Sequence, residues 1–219
     1  MTSAGGIADS APWVFWGHKG QAVVLRDIVR SHGNTLMHFV SDDELTEFEG
    51  LPVTPWEQFR ATVKESLPPE TGYAVAIGGP HGAARLERLR ILDEHDCGLR
   101  PLIHPTAAIL SNAKLGLGNQ ICARAVVGVN AVLGAAVIVN TGATVDHDCT
   151  IGDGCHIAPG TVILGRVTIG ECVFVGANAT ILPDLTIESH VTIGAGAVVL
   201  SDIDRAGTYV GSPAKRIGP

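Results

Sequence analysis

The sequence is short of aromatic side chains, which make up 5% of its 219 residues, and it has no surplus of basic ones. Its formal charge is −7 and its pI about 5.6, so neither a nucleic acid nor an anionic membrane surface finds electrostatic attraction here. Long apolar runs are missing too, and none approaches the roughly 18–20 residues of a membrane span. Residues 1–11 lack a basic stretch followed by an apolar block, so a cytoplasmic protein is the expectation. The five cysteines (Cys97, Cys122, Cys149, Cys155 and Cys172) include no CxxC pair. They suggest neither a zinc site nor a disulfide scaffold, and read as small buried thiols. Glycine, by contrast, is abundant at 27 residues. Much glycine with few aromatics suits many tight corners and thin aliphatic packing.

The chain changes grammar near residue 100. Before it, short apolar runs at residues 13–16, 36–40 and 73–77 alternate with helical spacing. One helix is expected over residues 21–31 (Ala22, Val23, Leu25, Ile28, Val29) and another over 83–94 (Leu86, Leu89, Leu92). Glycine turns, Gly17-His18-Lys19-Gly20 and Gly78-Gly79-Pro80, follow the first and third runs. Strand, glycine turn, helix, strand is the order of a parallel, Rossmann-like α/β unit, which binds ligands at strand C-termini.

From Ile103 onward, every sixth residue as far as Val199 is Ile, Leu or Val, seventeen positions in all. Chance agreement in one frame is on the order of 10⁻¹⁰. The residue four places after each anchor is usually small or β-branched, and the one immediately after is often glycine (Gly116, Gly128, Gly134, Gly152, Gly170, Gly176, Gly194). A period of six fits neither an isolated helix nor a half-buried strand. It is the hexapeptide repeat of a parallel β-helix, whose short strands each bury one aliphatic residue before a corner. Glycine after the anchor is expected to relieve the steric cost of that corner. A solenoid needs its ends covered: the α/β domain is expected to cap the first coil, the repeat to stop after Val199, and the tail from Gly211 to leave the solenoid.

The repeat, the closing Gly211-Ser212-Pro213-Ala214-Lys215-Arg216 and the α/β domain in front together resemble one family. It comprises the bacterial acyltransferases that acetylate sialic acid or nucleotide-linked amino sugars, including UDP-4-amino-sugar and GDP-perosamine N-acetyltransferases. The segment from Asn140 through His147-Asp148-Cys149 to His156 looks like the family's catalytic block. The resemblance implies a tail at 1–11, a nucleotide-sugar-binding α/β domain at 12–100, a left-handed β-helix acyltransferase domain at 101–203 and a C-terminal tail at 204–219. It further implies acetyl-CoA as co-substrate, no metal, and a homotrimer with active sites between subunits. The expected acceptor is a nucleotide-linked amino sugar, a 4-amino-4,6-dideoxyhexose for polysaccharide or glycoprotein assembly. O-acetylation of sialic acid or a related sugar is the alternative, and a non-catalytic or metal-binding β-helix a third.

Three hexads make one coil, so residues 18 apart stack about 4.8 Å from one another. His147 therefore lies beside Val129 and Gly165. Acyl transfer needs a base for the incoming amine and an N–H for the tetrahedral oxyanion. Imidazole suits the first task because it titrates near neutrality. The resemblance assigns these roles to His147 and Gly165, and gives Asp148 the task of orienting His147. Asp148 also stacks beside Arg166 and could simply pair with it, and Asp146 is a second acidic neighbour. Zinc bound by Asp146, His147, Asp148 and His156 is a further reading.

By the same resemblance Asn140 contacts the sugar, and otherwise it is a locally bonded corner residue. His156 lies near the thioester, and Gly165, Ala177 and Ala195 offer backbone to coenzyme A. Lys215 and Arg216 could meet its phosphates or form a solvated basic tail. In the front domain Gly17-His18-Lys19-Gly20 is not GxGxxG; in the family its Gly-His turn holds the nucleotide phosphates, and Lys19 beside a helix N-terminus fits that use. Asp42 and Asp43 end the second strand, where they can accept hydrogen bonds from a ribose or base or be a solvated turn. Gly79-Pro80-His81-Gly82 departs from the family's Asn-containing loop and leaves the nucleotide open.

Overall fold

The computed structural model describes residues 11–218; nearly all of the expected N-terminal tail lies outside them. The first domain contains β1 (Pro12–Trp16), α1 (Gly20–Ser31), β2 (Thr35–Val40), β3 (Glu47–Phe48), β4 (Leu51–Thr54), α2 (Trp56–Thr62), β5 (Gly72–Val75) and α3 (Gly82–Glu94). The sheet order is β3-β4-β2-β1-β5, with β1 parallel to both β2 and β5. All of β1 is buried. Trp13 and Phe15 pack with Leu25, Ile28 and Val29 of α1, while Val14 and Trp16 pack with Trp56 and Phe59 of α2 and Leu86, Leu89 and Leu92 of α3. Helices on both faces explain why this strand reads as an unbroken apolar run. No apolar period in the sequence announces β3, β4 or α2: both strands are short, and the seven-residue α2 buries only Trp56 and Phe59.

From Leu102 the chain winds as a left-handed parallel β-helix of short strands. Val126 pairs with Thr144 and Thr144 with Val162, a coil of 18 residues. The anchors Ile121, Val127, Leu133 and their successors point inward and form one buried core. The strands stack into three sheets. The first face, running from Leu102–Ile103 through His156–Ile157 to Lys215–Ile217, buries its outward residues Leu102, Gln120, Ile138 and His156 beneath the α/β domain. The second, from Ala108–Ile109 to Val198–Val199, carries uncharged, half-buried Ala108, Val126, Thr144, Val162, Thr180 and Val198 outward. The third, from Lys114–Leu115 to Thr186–Ile187, exposes Lys114, Val132, Thr150, Thr168 and Thr186.

Three expectations need correction. The α/β domain packs against the side of the coil, not its end. Helix α3 lies where glycines leave room: a Cβ on Gly118 would meet Leu89, and one on Gly154 would meet Leu86. The first anchors, Ile103, Ile109 and Leu115, stay only partly buried. The tail from Gly211 does not leave the solenoid either. Ile203 joins the core, and Gly207–Val210 pairs parallel with Val191–Ile193 before Lys215–Ile217 folds back antiparallel.

Glycine after the anchor also serves another purpose than expected. The left-handed residue of a corner stands three places after the anchor, as at Asn130, Gly142, Asp148, Gly160 and Arg166. Glycines one place after the anchor are instead pressed against the next coil. A Cβ on Gly128 would lie 2.5 Å from the backbone of Asp146, and one on Gly152 would lie 2.6 Å from that of Gly170. Their role is close stacking of coil on coil.

Candidate active site

His147 sits on the corner between the second and third faces, preceded by Val145 and followed by left-handed Asp148 (φ 57). That conformation is tolerated by Asp because its short side chain can bond locally. Here the carboxylate turns back, and His147 Nδ1–H donates to Asp148 Oδ2 at 2.8 Å. Asn130, one coil earlier, donates to Asp148 Oδ1 at 2.9 Å. The bond from His147, then that from Asn130, holds the Asp148 carboxyl below its usual range. With Nδ1 so engaged, the lone pair of Nε2 faces outward along the coil.

It faces Gly165. A Cβ there would come 2.4 Å from His147 Nε2, so only glycine lets the ring take this place. The two backbones differ in one further respect. His147 N–H is capped by Asp146 Oδ1 at 2.7 Å, whereas Gly165 follows Leu164 and its N–H has no acceptor among the described residues. Asp146 therefore serves the backbone and Asp148 the ring. Arg166 does not pair with Asp148: it donates twice to Asp184, at 2.6 and 2.8 Å.

Asn140 and His156 lie elsewhere, under the α/β domain. Thr141 N–H donates to Asn140 Oδ1 at 2.8 Å, which turns the Asn140 amide nitrogen onto His156 Nε2 at 3.1 Å. Nε2 is thus the acceptor, and Nδ1 carries the proton. The ring is 6% exposed and sits edge-on to Phe174. Burial, reinforced by the nearby Arg85 cation, pushes its pKa down to about 4. His156 is consequently a neutral, buried group. Arg85, fully buried, donates to the carbonyls of Ala136, Ile77 and Gly154, so it ties the end of the cleft wall to the coil. Its significance is invisible in the sequence, because its partners are distant backbone carbonyls.

His147 is on a corner and His156 on a strand of the first face, so one chain does not assemble the four-residue zinc set, and the described residues hold no cluster suited to a metal. Ala177 and Ala195 stack on the same corner as Asn140, with Gly196 N–H donating to Ala177 O at 2.8 Å. Lys215, exposed, follows Ala214, whose N–H bonds Val198 O beside that corner. Gly165 is on the His147 corner instead. The residues expected to hold coenzyme A are therefore divided between two edges of the uncovered second face.

The front-domain residues do converge. Gly17, His18, Lys19, Gly20, Asp42, Asp43 and Gly79 all line one open cleft of about 740 Å³ at the C-terminal ends of β1, β2 and β5. His18 is 4% exposed, with Nε2 3.5 Å from Asp43 and Nδ1 without a partner. Lys19 pairs with Asp43 at 3.2 Å, and its hydrogen bond is the chief reason that carboxyl titrates below its usual range. Sequence reasoning missed Gln21, Ser41, Ala84 and Arg88 in this cleft. Arg88 stands at the wall because α3 directs it over Trp16, a tertiary approach that no local pattern announces.

A coil of hexapeptides with a histidine–carboxylate pair at one corner, beside an α/β domain with its own cleft, defines a class, the hexapeptide-repeat acyltransferases. The family model "Bacterial transferase hexapeptide (six repeats)" matches residues 130–165 and 166–201. A comparison with curated protein sequences finds no match. Among solved structures, PerB from Caulobacter crescentus, in complex with CoA and GDP-perosamine, is 31% identical with a TM-score of 0.86, over 96% of this chain and 99% of that one. The acetyltransferase domain of PglB from Neisseria gonorrhoeae, solved also with acetyl coenzyme A, is 32% identical with a TM-score of 0.85, over 95% of this chain and 100% of that one. WeeI from Acinetobacter baumannii, at 23% identity and a TM-score of 0.80, shares the fold. The chain belongs to the hexapeptide-repeat sugar N-acetyltransferase family and is an acyltransferase.

Proposed function

We propose that the protein transfers the acetyl group of acetyl-CoA to the amino group of a nucleotide-linked sugar, a 4-amino-4,6-dideoxyhexose, by direct attack. The observation that carries this reading is the His147 corner: a carboxylate-oriented imidazole facing a glycine whose N–H is free. His147 Nε2 accepts the proton of the amine as its nitrogen bonds to the thioester carbon. Gly165 N–H donates to the oxyanion; the carbon–sulfur bond then breaks, and the thiolate takes the proton from His147. A base oriented by a carboxylate and a preformed donor are what such a reaction requires. The five thiols offer no acyl-enzyme route: four are buried, and burial raises the pKa of each.

The acceptor nucleotide occupies the front-domain cleft, with its phosphates at the Gly17–Gly20 turn before α1. The bound ligands of PerB, CoA and GDP-perosamine, support that assignment. The active site lies between copies in a homotrimer. Two features support this: the two edges carrying expected coenzyme A residues flank one face, and that face has no charged outward residue. Among the described residues no helix is long and apolar enough to cross a membrane, in keeping with a cytoplasmic enzyme of polysaccharide assembly.

The test is thiol release from acetyl-CoA across a panel of UDP-, GDP- and dTDP-linked 4-amino sugars. Release with at least one member, matched by a mass gain of one acetyl group on the sugar nitrogen, is expected. Absence of release with all of them, or acetylation only of a sugar hydroxyl, would contradict the proposal.

A further inference from the structure

The corner that carries His147 has one left-handed residue in each coil: Asn112, Asn130, Asp148, Arg166 and Asp184, with φ from 57 to 64°. They recur every 18 residues, so their side chains stand in a row on successive coils about 4.8 Å apart. Each of the five bonds to a neighbour in the row, and the bonds form two separate sets.

The first set ends on Asp148. A carboxylate can only accept, so Asn130 must turn its amide nitrogen toward it, and Asn130 Nδ2 donates to Asp148 Oδ1 at 2.9 Å. That orientation leaves Asn130 Oδ1 facing the preceding coil, where Asn112 Nδ2 donates to it at 3.2 Å. The other carboxylate oxygen, Oδ2, accepts from His147 Nδ1 at 2.8 Å. One donor on each oxygen fixes the plane of the carboxylate. The second set points the opposite way. Arg166 donates from Nε and Nη2 to the two oxygens of Asp184, at 2.6 and 2.8 Å, the two-point geometry in which arginine holds a carboxylate most firmly.

Arg166 thus stands between two carboxylates, one coil from each. Its cation is near enough to Asp148 to add, after the bonds from His147 and Asn130, to the lowering of that carboxyl's pKa. Turned back onto Asp148, the guanidinium would claim both oxygens and displace the imidazole. Asp184 removes that competitor. We infer that Asp184 and Asn130 are positioning residues for His147: Asp184 keeps Arg166 off Asp148, and Asn130 orients the carboxylate, so that Oδ2 is reserved for the ring. Neither residue bonds to His147 itself. This rests on the reading of His147 as the base.

The experiment is steady-state kinetics of the full chain with acetyl-CoA and whichever of the UDP-, GDP- and dTDP-linked 4-amino sugars it acetylates fastest. The variants are Asp184→Gly, Asp184→Gly with Arg166→Gly, Asn130→Gly, Asp148→Asn, and Asn130→Gly with Asp148→Asn. Glycine keeps the left-handed corner without strain, and the three residues replaced by it are exposed, so melting temperatures should hardly move. Asp184→Gly should lower kcat by about threefold to tenfold, no more than Asp148→Asn does, with KM for both substrates unchanged. Adding Arg166→Gly should restore kcat, because the competitor is then gone. Asn130→Gly should lower kcat by about threefold and cost nothing further once Asp148 is already Asn. A merely structural role would give neither the rescue nor the silence in the second background. Full turnover in Asp184→Gly or Asn130→Gly beside an impaired Asp148→Asn would overturn the inference and leave the base standing. So would a loss in Asp184→Gly that Arg166→Gly does not restore. Full turnover in His147→Asn, or no turnover of any sugar in the panel by wild type, would overturn both.

Discussion

Two histidines nine residues apart in sequence occupy different sides of the coil, and their surroundings differ in almost every respect. His147 is half-exposed, bonded to a carboxylate, and backed by a glycine that leaves its second nitrogen open. His156 is buried under the α/β domain, bonded to an amide, and held neutral by burial and by the Arg85 cation. General-base chemistry can use the first, whose second nitrogen is open, and not the second, which is enclosed and held neutral. In the proposed reading the base is on one edge and most residues expected to hold the acyl donor are on the other, which is why that reading places the active site between copies.

Several changes should sharpen or break this contrast. The largest effect is on stability. The pKa of His156 falls from 6.5 to about 4 on folding, so between those values the unfolded chain binds more protons, and stability falls as pH falls through that window. The loss should approach roughly 3 kcal/mol. His38, also buried and shifted down, adds to the slope, so the His156 share is the difference between wild type and His156→Phe in melting curves from pH 7 to 4. Equal slopes would mean that His156 is not buried neutral.

Next is Gly165→Ala. Its Cβ would displace the His147 ring, and turnover should fall by on the order of 10²-fold, equivalent to about 2.7 kcal/mol. The melting temperature should barely move, since an exposed ring can swing aside. Full turnover in steady-state assays would show that His147 does not act from this position. Asp148→Asn keeps the left-handed corner but loses the charge that orients the ring. It should lower turnover by about tenfold, less than in a buried triad because this pair is solvent-screened. A drop confined to KM would assign Asp148 to binding instead.

The core of the coil was legible in the sequence, because one buried aliphatic every six residues is a local requirement repeated along the chain. The juxtaposition of His147 and Gly165 followed from the same period. What local pattern could not supply was the direction of approach between domains. Stacking suggested Arg166 as one partner for Asp148, yet Arg166 pairs with Asp184. The glycines after the anchors looked like corner residues, but their constraint comes from the next coil. Burial of His156 depends on α3 lying along the side of the solenoid, and Arg85 and Arg88 take their meaning from the same packing. In the α/β domain the glycine turn and the paired acids were readable as a ligand wall, because strand ends of a parallel sheet must converge.

The measurement that tests the central claim most directly is turnover of His147→Asn beside His156→Gln, with coenzyme A affinity determined for both. The account predicts that His147→Asn binds coenzyme A as wild type does and turns over 10²–10⁴-fold more slowly, on the order expected for loss of a general base. His156→Gln should lose much less turnover than His147→Asn does. Unchanged turnover in His147→Asn, or a larger loss of turnover in His156→Gln than in His147→Asn, would contradict it.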